Sequence, residues 1–302
     1  MSTARIFILT LLAMIAFASN SLLCRAALKE SSSDPATFTF VRIFSGAIAL
    51  WLLLKIQRLL RAEGTASPLV ESFSGSSLRY GNWISAVALF AYAAGFSFAY
   101  TSLSAGTGAL LLFGAVQAMM ILWGLHKGER LNTIQIAGFI VAVAGLVVLV
   151  FPGLSAPPLI GSILMLGAGL AWGIYSLRGK GEGNPVSVTT GNFVRAVPFA
   201  IALSIIFFPS TNYNLAGITC AIISGAVTSG LGYVVWYSAL RGLKTASAAT
   251  VQLSVPVLAA TGGILLLGEP ITVRYMLASV AVLGGIGIVV ASPHPQINLS
   301  KR

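Results

Sequence analysis

Two arginines stand where a charge is expensive. Arg42 and Arg195 lie about a turn and a half inside long apolar runs, and at the centre of a membrane-spanning helix an arginine costs roughly 2.5–3.5 kcal/mol on insertion scales. Each either snorkels or braces a neighbouring helix end, or attracts an anionic group and takes part in gating. Near the middle of other apolar runs stand uncharged groups able to hydrogen-bond or stack: Asn20, Ser21, Tyr100, Gln117, Trp172, Tyr175, Trp236, Tyr237 and Gln252. Turned into a shared interior, such side chains line a cavity, bond a ligand's polar atoms and pack on its apolar part. Turned towards one another, they hold helices together. The candidate binding set is Asn20, Arg42, Gln117, Trp172, Tyr175, Arg195, Trp236 and Gln252. Tyr100 and Tyr237, close to the ends of their runs, read better as interhelical glue or an interfacial belt.

Groups for catalysis are scarce. His126 and His294 lie outside the apolar runs and no HExxH occurs, so neither a nucleophile–base pair nor a metal site is expected. Cys24 and Cys220 have no CxxC spacing and read as small core residues. The chain has 7 acidic residues. Glu129 and Glu269 stand at predicted helix starts, where a carboxylate meets the positive end of the helix dipole, so capping is their expected role. The one aspartate, Asp34, falls in a connection. An enzyme with a bound cofactor is not the expectation.

The elements that must position these residues follow from composition. Apolar residues make up 57% of the chain and charged residues 8%, too few charges to clothe a soluble fold but suited to lipid. The formal charge of +11 would suggest nucleic acid in a soluble protein. Here the basic residues flank apolar runs and no nucleic-acid motif appears. Apolar runs of spanning length fall near residues 5–24, 37–57, 80–102, 105–125, 133–151, 159–177, 189–209, 215–238, 245–267 and 272–292. Each approaches the ~20 residues a helix needs to cross the hydrocarbon core, and helices satisfy their own backbone groups there. The first run has a signal-peptide look, with Arg5 before it and Ala16-Phe17-Ala18 within it, but an internal copy identifies it as a retained helix: Ala171-Trp172-Gly173 precedes the basic end Lys180 as Ala16-Phe17-Ala18 precedes Arg25.

Basic residues orient the bundle. With the N-terminus inside, Arg5, Lys55, Arg58, Arg61, Arg79, Lys127, Arg130, Arg178, Lys180, Arg241, Lys244, Lys301 and Arg302 fall on the inner side. Only Arg25, Lys29 and Arg274 fall outside, which places both termini in the cytoplasm. The longest connection, about 58–79, carries Gly64, Pro68 and a Ser/Gly cluster and reads as a flexible cytoplasmic loop.

Halfway along, the chain repeats. Phe40-Val41-Arg42 precedes Ala47-Ile48-Ala49-Leu50, and Phe193-Val194-Arg195 precedes Ala200-Ile201-Ala202-Leu203 at the same spacing. Asp34-Pro35 and Asn184-Pro185 precede these blocks. Gly128-Glu129 opens the fifth span and Gly268-Glu269 the tenth, with Gly145 and Gly285 following at equal offsets. Five spans per unit means the second unit enters from the opposite side, which makes the repeats inverted. Two units of opposite orientation supply two arrangements of similar energy, one open to each face. The units are 1–152 and 153–292, followed by a cytoplasmic tail, 293–302.

On these residues, and on Ala171-Trp172-Gly173, Gly128-Glu129-Arg130-Leu131 and Gly268-Glu269-Pro270-Ile271, the chain resembles the EamA-domain family of the drug/metabolite transporter superfamily over nearly its whole length. It departs from the family pattern at Phe17-Ala18-Ser19-Asn20, and at Val116, where Pro256 has its counterpart. The resemblance implies an all-α integral membrane protein of ten helices in two inverted five-helix repeats. Helices one to four and six to nine would line the pathway, with five and ten packed outside it. It implies a transporter, an exporter of small metabolites such as amino acids by alternating access, and the lack of bulky loops suits a bacterial inner membrane. The alternatives are a multidrug or other efflux carrier, a channel, or an intramembrane enzyme. The expected partners are a small-molecule substrate and the bilayer, with the protein a monomer or a homodimer and no nucleic acid bound. With no Asp, Glu or His at predicted mid-membrane depth, facilitated transport or exchange is expected rather than proton or sodium coupling.

Overall fold

A computed structural model describes residues 3–30, 33–62, 80–128, 130–153, 156–179, 184–208, 214–243 and 245–291. Glu129, most of the expected cytoplasmic loop (63–79) and the tail 293–302 lie outside these residues. The described chain is helical, with ten helices long and apolar enough to cross a membrane: α1 (Thr3–Lys29), α2 (Pro35–Gln57), α3 (Trp83–Tyr100), α4 (Ala105–His126) and α5 (Thr133–Val150), then α6 (Leu159–Gly179), α7 (Pro185–Ile206), α8 (Leu215–Leu240), α9 (Thr250–Leu267) and α10 (Val273–Ala291). All ten expected spans are present. The helix containing α2 runs on to Ala62, into the stretch expected to be loop.

The repeated motifs are helix ends. Asp34 accepts from the backbone N–H of Ala36 at 3.2 Å and of Thr37 at 2.7 Å, and Asn184 accepts from that of Val186 at 2.9 Å. Each thus caps a helix whose first residue is proline, where the missing N–H is harmless. The glycines of the two Gly-Glu pairs, Gly128 (φ 92°) and Gly268 (φ 59°), sit in the left-handed region just past the ends of α4 and α9, which a residue without Cβ adopts freely. The duplicated sequence therefore encodes the same start and stop signals twice.

Packing runs through small residues. A Cβ on Gly95 of α3 would lie 3.1 Å from the Leu164 carbonyl of α6, and one on Gly169 of α6 would lie 2.6 Å from the Leu112 carbonyl of α4. These are the small-residue stripes that let backbones touch, where lipid supplies no hydrophobic drive between helices. Outside the main bundle α5 and α10 pair closely, a Cβ on Gly138 meeting the Gly285 carbonyl at 2.7 Å. Their outer faces, with Ile140 and Val280 exposed, suit lipid. The helices interleave by halves: α6 packs on α3 and α4, α1 packs on α8 and α9, and α2 packs on α7 and α8.

Three helices depart from regular α geometry, the first being α1, whose end runs into a π-helical turn, Ala26–Glu30. Residues Ser224–Leu231 of α8 form a π-helical stretch, whose wider turns make i→i+5 bonds. In α9 the helix is interrupted between Gln252 and Ser254. Pro256 has no N–H to offer the Gln252 carbonyl four residues back, so the interruption falls where a proline kink is expected. Pro198, by contrast, lies inside the continuous α7.

Candidate functional site

The aromatic and polar side chains converge on a central chamber lined by Phe17, Asn20, Tyr92, Phe96, Leu112, Phe113, Trp172 and Tyr233. α1, α3, α4, α6 and α8 each contribute. The chamber's walls are nearly closed on one another, leaving about 10 Å³, room for about one water molecule. Trp172 is its centre, with ring centroids 4.7 Å from Tyr233, 5.0 Å from Tyr92 and 5.8 Å from Phe17. Tyr175 lies against Trp172 at 5.5 Å with its ring tilted by 37°, and Trp236 lies edge-on to Phe17 at 5.9 Å. The indole N–H of Trp172 is buried with no hydrogen-bond partner among the described residues, a condition that favours a polar ligand atom against it.

Arg42 stands behind three of these walls. It is 1% exposed, so it does not snorkel. Its Nε donates to Ser229 Oγ at 3.1 Å, and its Nη2 donates to the hydroxyls of Tyr92 at 3.0 Å and Tyr233 at 3.3 Å. Its guanidinium carbon lies 4.8 Å from the Phe96 ring centroid and 5.1 Å from that of Tyr92, within cation–π range. Nη1 is buried with no hydrogen-bond partner among the described residues. Beside it, Asn20 donates to Tyr92 Oη at 3.3 Å and accepts from Ser224 and from Thr228, the latter at 3.3 Å.

The π-helical stretch explains how one helix supplies so many of these partners. With i→i+5 bonding, residues four and five apart share a face. Ser224, Thr228, Ser229 and Tyr233 consequently all reach Asn20 or Arg42. Gly225 allows the approach, since a Cβ there would collide with the Arg42 carbonyl and Ser45 of α2.

The remaining candidates lie elsewhere. Gln117 and Gln252 join α4 to α9 through a 3.4 Å bond from Nε2 to Oε1, both side chains being buried. Arg195 is not in the chamber. Its Nη1 donates to the Tyr80 carbonyl at 2.7 Å and to the Gly191 carbonyl at 3.0 Å, and it lies over Trp83. Arg195 therefore braces the start of α3, and the two sequence-equivalent arginines occupy different surroundings. Tyr100 is interhelical glue, buried, with its hydroxyl donating to the Ala105 carbonyl at 3.2 Å. Tyr237 is buried too.

A second polar cluster lies where α1 ends. Arg25 Nε bonds Glu269 Oε1 at 3.0 Å, and Arg25 Nη1 donates to the Tyr100 carbonyl at 2.8 Å. Glu269 Oε2 accepts from the Ala105 N–H at 2.8 Å, so Glu269 does cap a helix, but that helix is α4 and not the α10 it precedes. The arrangement ties α1, the α3–α4 turn and the α9–α10 turn together. At the opposite end Arg178 of α6 reaches Ser85 and Asn82 at the start of α3, both at 3.2 Å.

Sequence reasoning overlooked Phe17, Tyr92, Phe96, Leu112, Phe113 and Tyr233 as wall residues, and Ser224, Thr228 and Ser229 as partners of Asn20 and Arg42. One signal was available: Ser224-Gly225 and Thr228-Ser229-Gly230 are a small, polar interruption in an otherwise apolar span. Arg25 and Glu269, 244 residues apart, carried no signal of their pairing.

The profile of the EamA-like transporter family matches residues 4–151 and again residues 159–291. The uncharacterized protein PA1977 of Pseudomonas aeruginosa is 52% identical over 96% of each chain. An uncharacterized transporter of Archaeoglobus fulgidus is 25% identical over 95% of this chain and 98% of its own. The threonine/homoserine exporter RhtA of Salmonella typhimurium is 26% identical over 81% of this chain and 78% of its own. A protein of known crystal structure superposes with a TM-score of 0.64 at 16% identity, over 95% of this chain and 98% of that one, which supports the fold. Ten membrane-length helices and two successive family matches across nearly the whole chain lead to one conclusion: the chain belongs to the EamA-like transporter family.

Proposed function

We propose that the protein exports small metabolites, amino acids among them, across a bacterial inner membrane by alternating access, with both termini cytoplasmic. The observation that carries this reading is the central chamber. It is polar and aromatic, lies within the bundle, and draws its walls from both halves of the chain. The exchange of partners between halves, α6 on α3 and α4 against α1 on α8 and α9, supports the inverted-repeat reading, because a pseudo-twofold in the membrane plane would produce it. The amino-acid class is supported by the name of the related exporter RhtA and by the chamber's mix of ring faces and hydrogen-bonding groups. The Arg25–Glu269 cluster and the Arg178 contacts close opposite ends, and transport opens them in turn.

No Asp, Glu or His lies at mid-depth in any of the ten spans, so the transport step is facilitated diffusion or exchange. The test is flux in proteoliposomes containing the purified protein, with and without an imposed proton or sodium gradient. Saturable movement of an amino acid, accelerated by substrate on the far side, is the expected result. Flux that strictly requires the gradient would remove the uncoupled reading. Absence of amino-acid flux would remove the substrate class.

A further inference from the structure

We infer that Arg42 is the counter-ion for a carboxylate on the transported molecule, a step that rests on reading the chamber as the substrate site. Arg42 is the eighth residue of α2, about 10 Å along a helix rising ~1.5 Å per residue, and so well inside a hydrocarbon core about 30 Å thick. No Asp or Glu lies within any of the ten spans. Asp34, the acid nearest in sequence, has its two oxygens on the N-terminal amides of α2. Arg42's own bonds go to three neutral hydroxyls, those of Ser229, Tyr92 and Tyr233.

A desolvated guanidinium held by neutral groups alone is an unbalanced charge, and such charges normally find a partner of opposite sign. Its Nη1 still has both hydrogens to give. Tyr92 and Tyr233, which hold Nη2, are also walls of the chamber. A carboxylate seated between them would accept from Nη1 and from the two hydroxyls, and these charge-assisted bonds are the stronger kind. The rest of the ligand would then meet ring faces and the unpartnered Trp172 N–H. A single guanidinium matches a single negative charge, which favours a monocarboxylate, zwitterions included, over a dianionic phosphate. The nearly closed chamber requires the aromatic walls to part around such a ligand, so carboxylate capture and opening of the bundle are linked.

The experiment is titration calorimetry on the purified, full-length protein in detergent. Its probes are neutral L-amino acids, each beside its C-terminal amide, with methyl phosphate at pH 7.5, where a phosphate monoester is mostly the dianion, as the control. At least one amino acid is expected to bind, with its amide roughly tenfold or more weaker, as loss of a charged hydrogen bond implies. Methyl phosphate is expected not to compete. Arg42→Gln abolishes the acid-over-amide preference and Arg42→Lys keeps part of it. The acid–amide comparison needs no variant, so a misfolded substitution does not remove the test. No binding by any acid, equal binding of amides, competition by methyl phosphate, or a preference surviving Arg42→Gln would each overturn the inference. Carboxylate-selective binding without vesicle flux would keep the Arg42 site and discard the carrier, whereas equal flux of acids and amides would do the reverse.

Discussion

If the Arg25–Glu269 cluster closes one end of the bundle, removing Glu269 must open that end. The two side chains are 10% and 6% exposed, so solvent does little to replace the lost bonds. Glu269→Ala deletes the ion pair with Arg25 and the bond from the Ala105 N–H, and leaves a buried guanidinium held only by the Tyr100 and Thr101 carbonyls. Breaking a buried pair from one side costs roughly 3–5 kcal/mol. At the end of a bundle, where water can follow, the lower figure is appropriate. If only the closed arrangement makes the pair, that loss falls on it alone, and about 3 kcal/mol shifts the open–closed ratio about a hundredfold. The readout is a cysteine placed at the chamber residue Leu112, in a background without native cysteines, labelled by an impermeant maleimide from the side at which α1 ends. Glu269→Ala and Arg25→Met should each raise the labelling rate by one to two orders of magnitude. The double variant should add little more, since both substitutions cut the same tie. Unchanged labelling in both single variants, or effects that simply add, would refute the assignment of this cluster as a closure.

Other predictions follow from the same geometry. Arg195→Gln should leave amino-acid binding within about twofold and lower thermal stability by roughly 1 kcal/mol, because Arg195 bonds the Tyr80 carbonyl just before α3 and the Gly191 carbonyl of its own helix, and not the chamber; loss of binding measured by calorimetry would contradict that placement. Gly225→Leu should prevent α2 and α8 from docking and sharply reduce folded yield by size-exclusion chromatography, whereas Gly284→Ala, with nothing within 4 Å of its added Cβ, should be tolerated. Replacing Gln117 alone with Leu strands the Gln252 amide and should lower the melting midpoint by more than replacing both, since an unpaired buried amide costs about 1–3 kcal/mol while an apolar pair does not. Asp34→Ala and Asn184→Ala should each cost about 1 kcal/mol in denaturant stability, as capping losses do; a much larger effect at one would mean that the equivalent caps are not equivalent in load.

Read by itself, the amino-acid sequence determined the membrane class, the ten helices, the duplication and the family resemblance. All of these are local or periodic properties: span length follows from hydrophobic thickness, and the Asp34-Pro35, Asn184-Pro185 and Gly-Glu signals act within a turn of themselves. The sequence also marked Arg42, Asn20, Trp172 and Tyr175, because polar or bulky groups in apolar spans are costly wherever they land. It treated Arg42 and Arg195 as equivalents, however, and only the packed bundle separated them, one buried against the chamber walls and the other braced on the start of α3. The reason is that a motif specifies a position along a helix, whereas the helix's neighbours decide what that position faces. The π-helical turns that bring Ser224, Thr228, Ser229 and Tyr233 onto one face have no sharp sequence code. The Arg25–Glu269–Ala105 tie likewise joins three helix ends that lie far apart in the chain, and only packing brings such ends together.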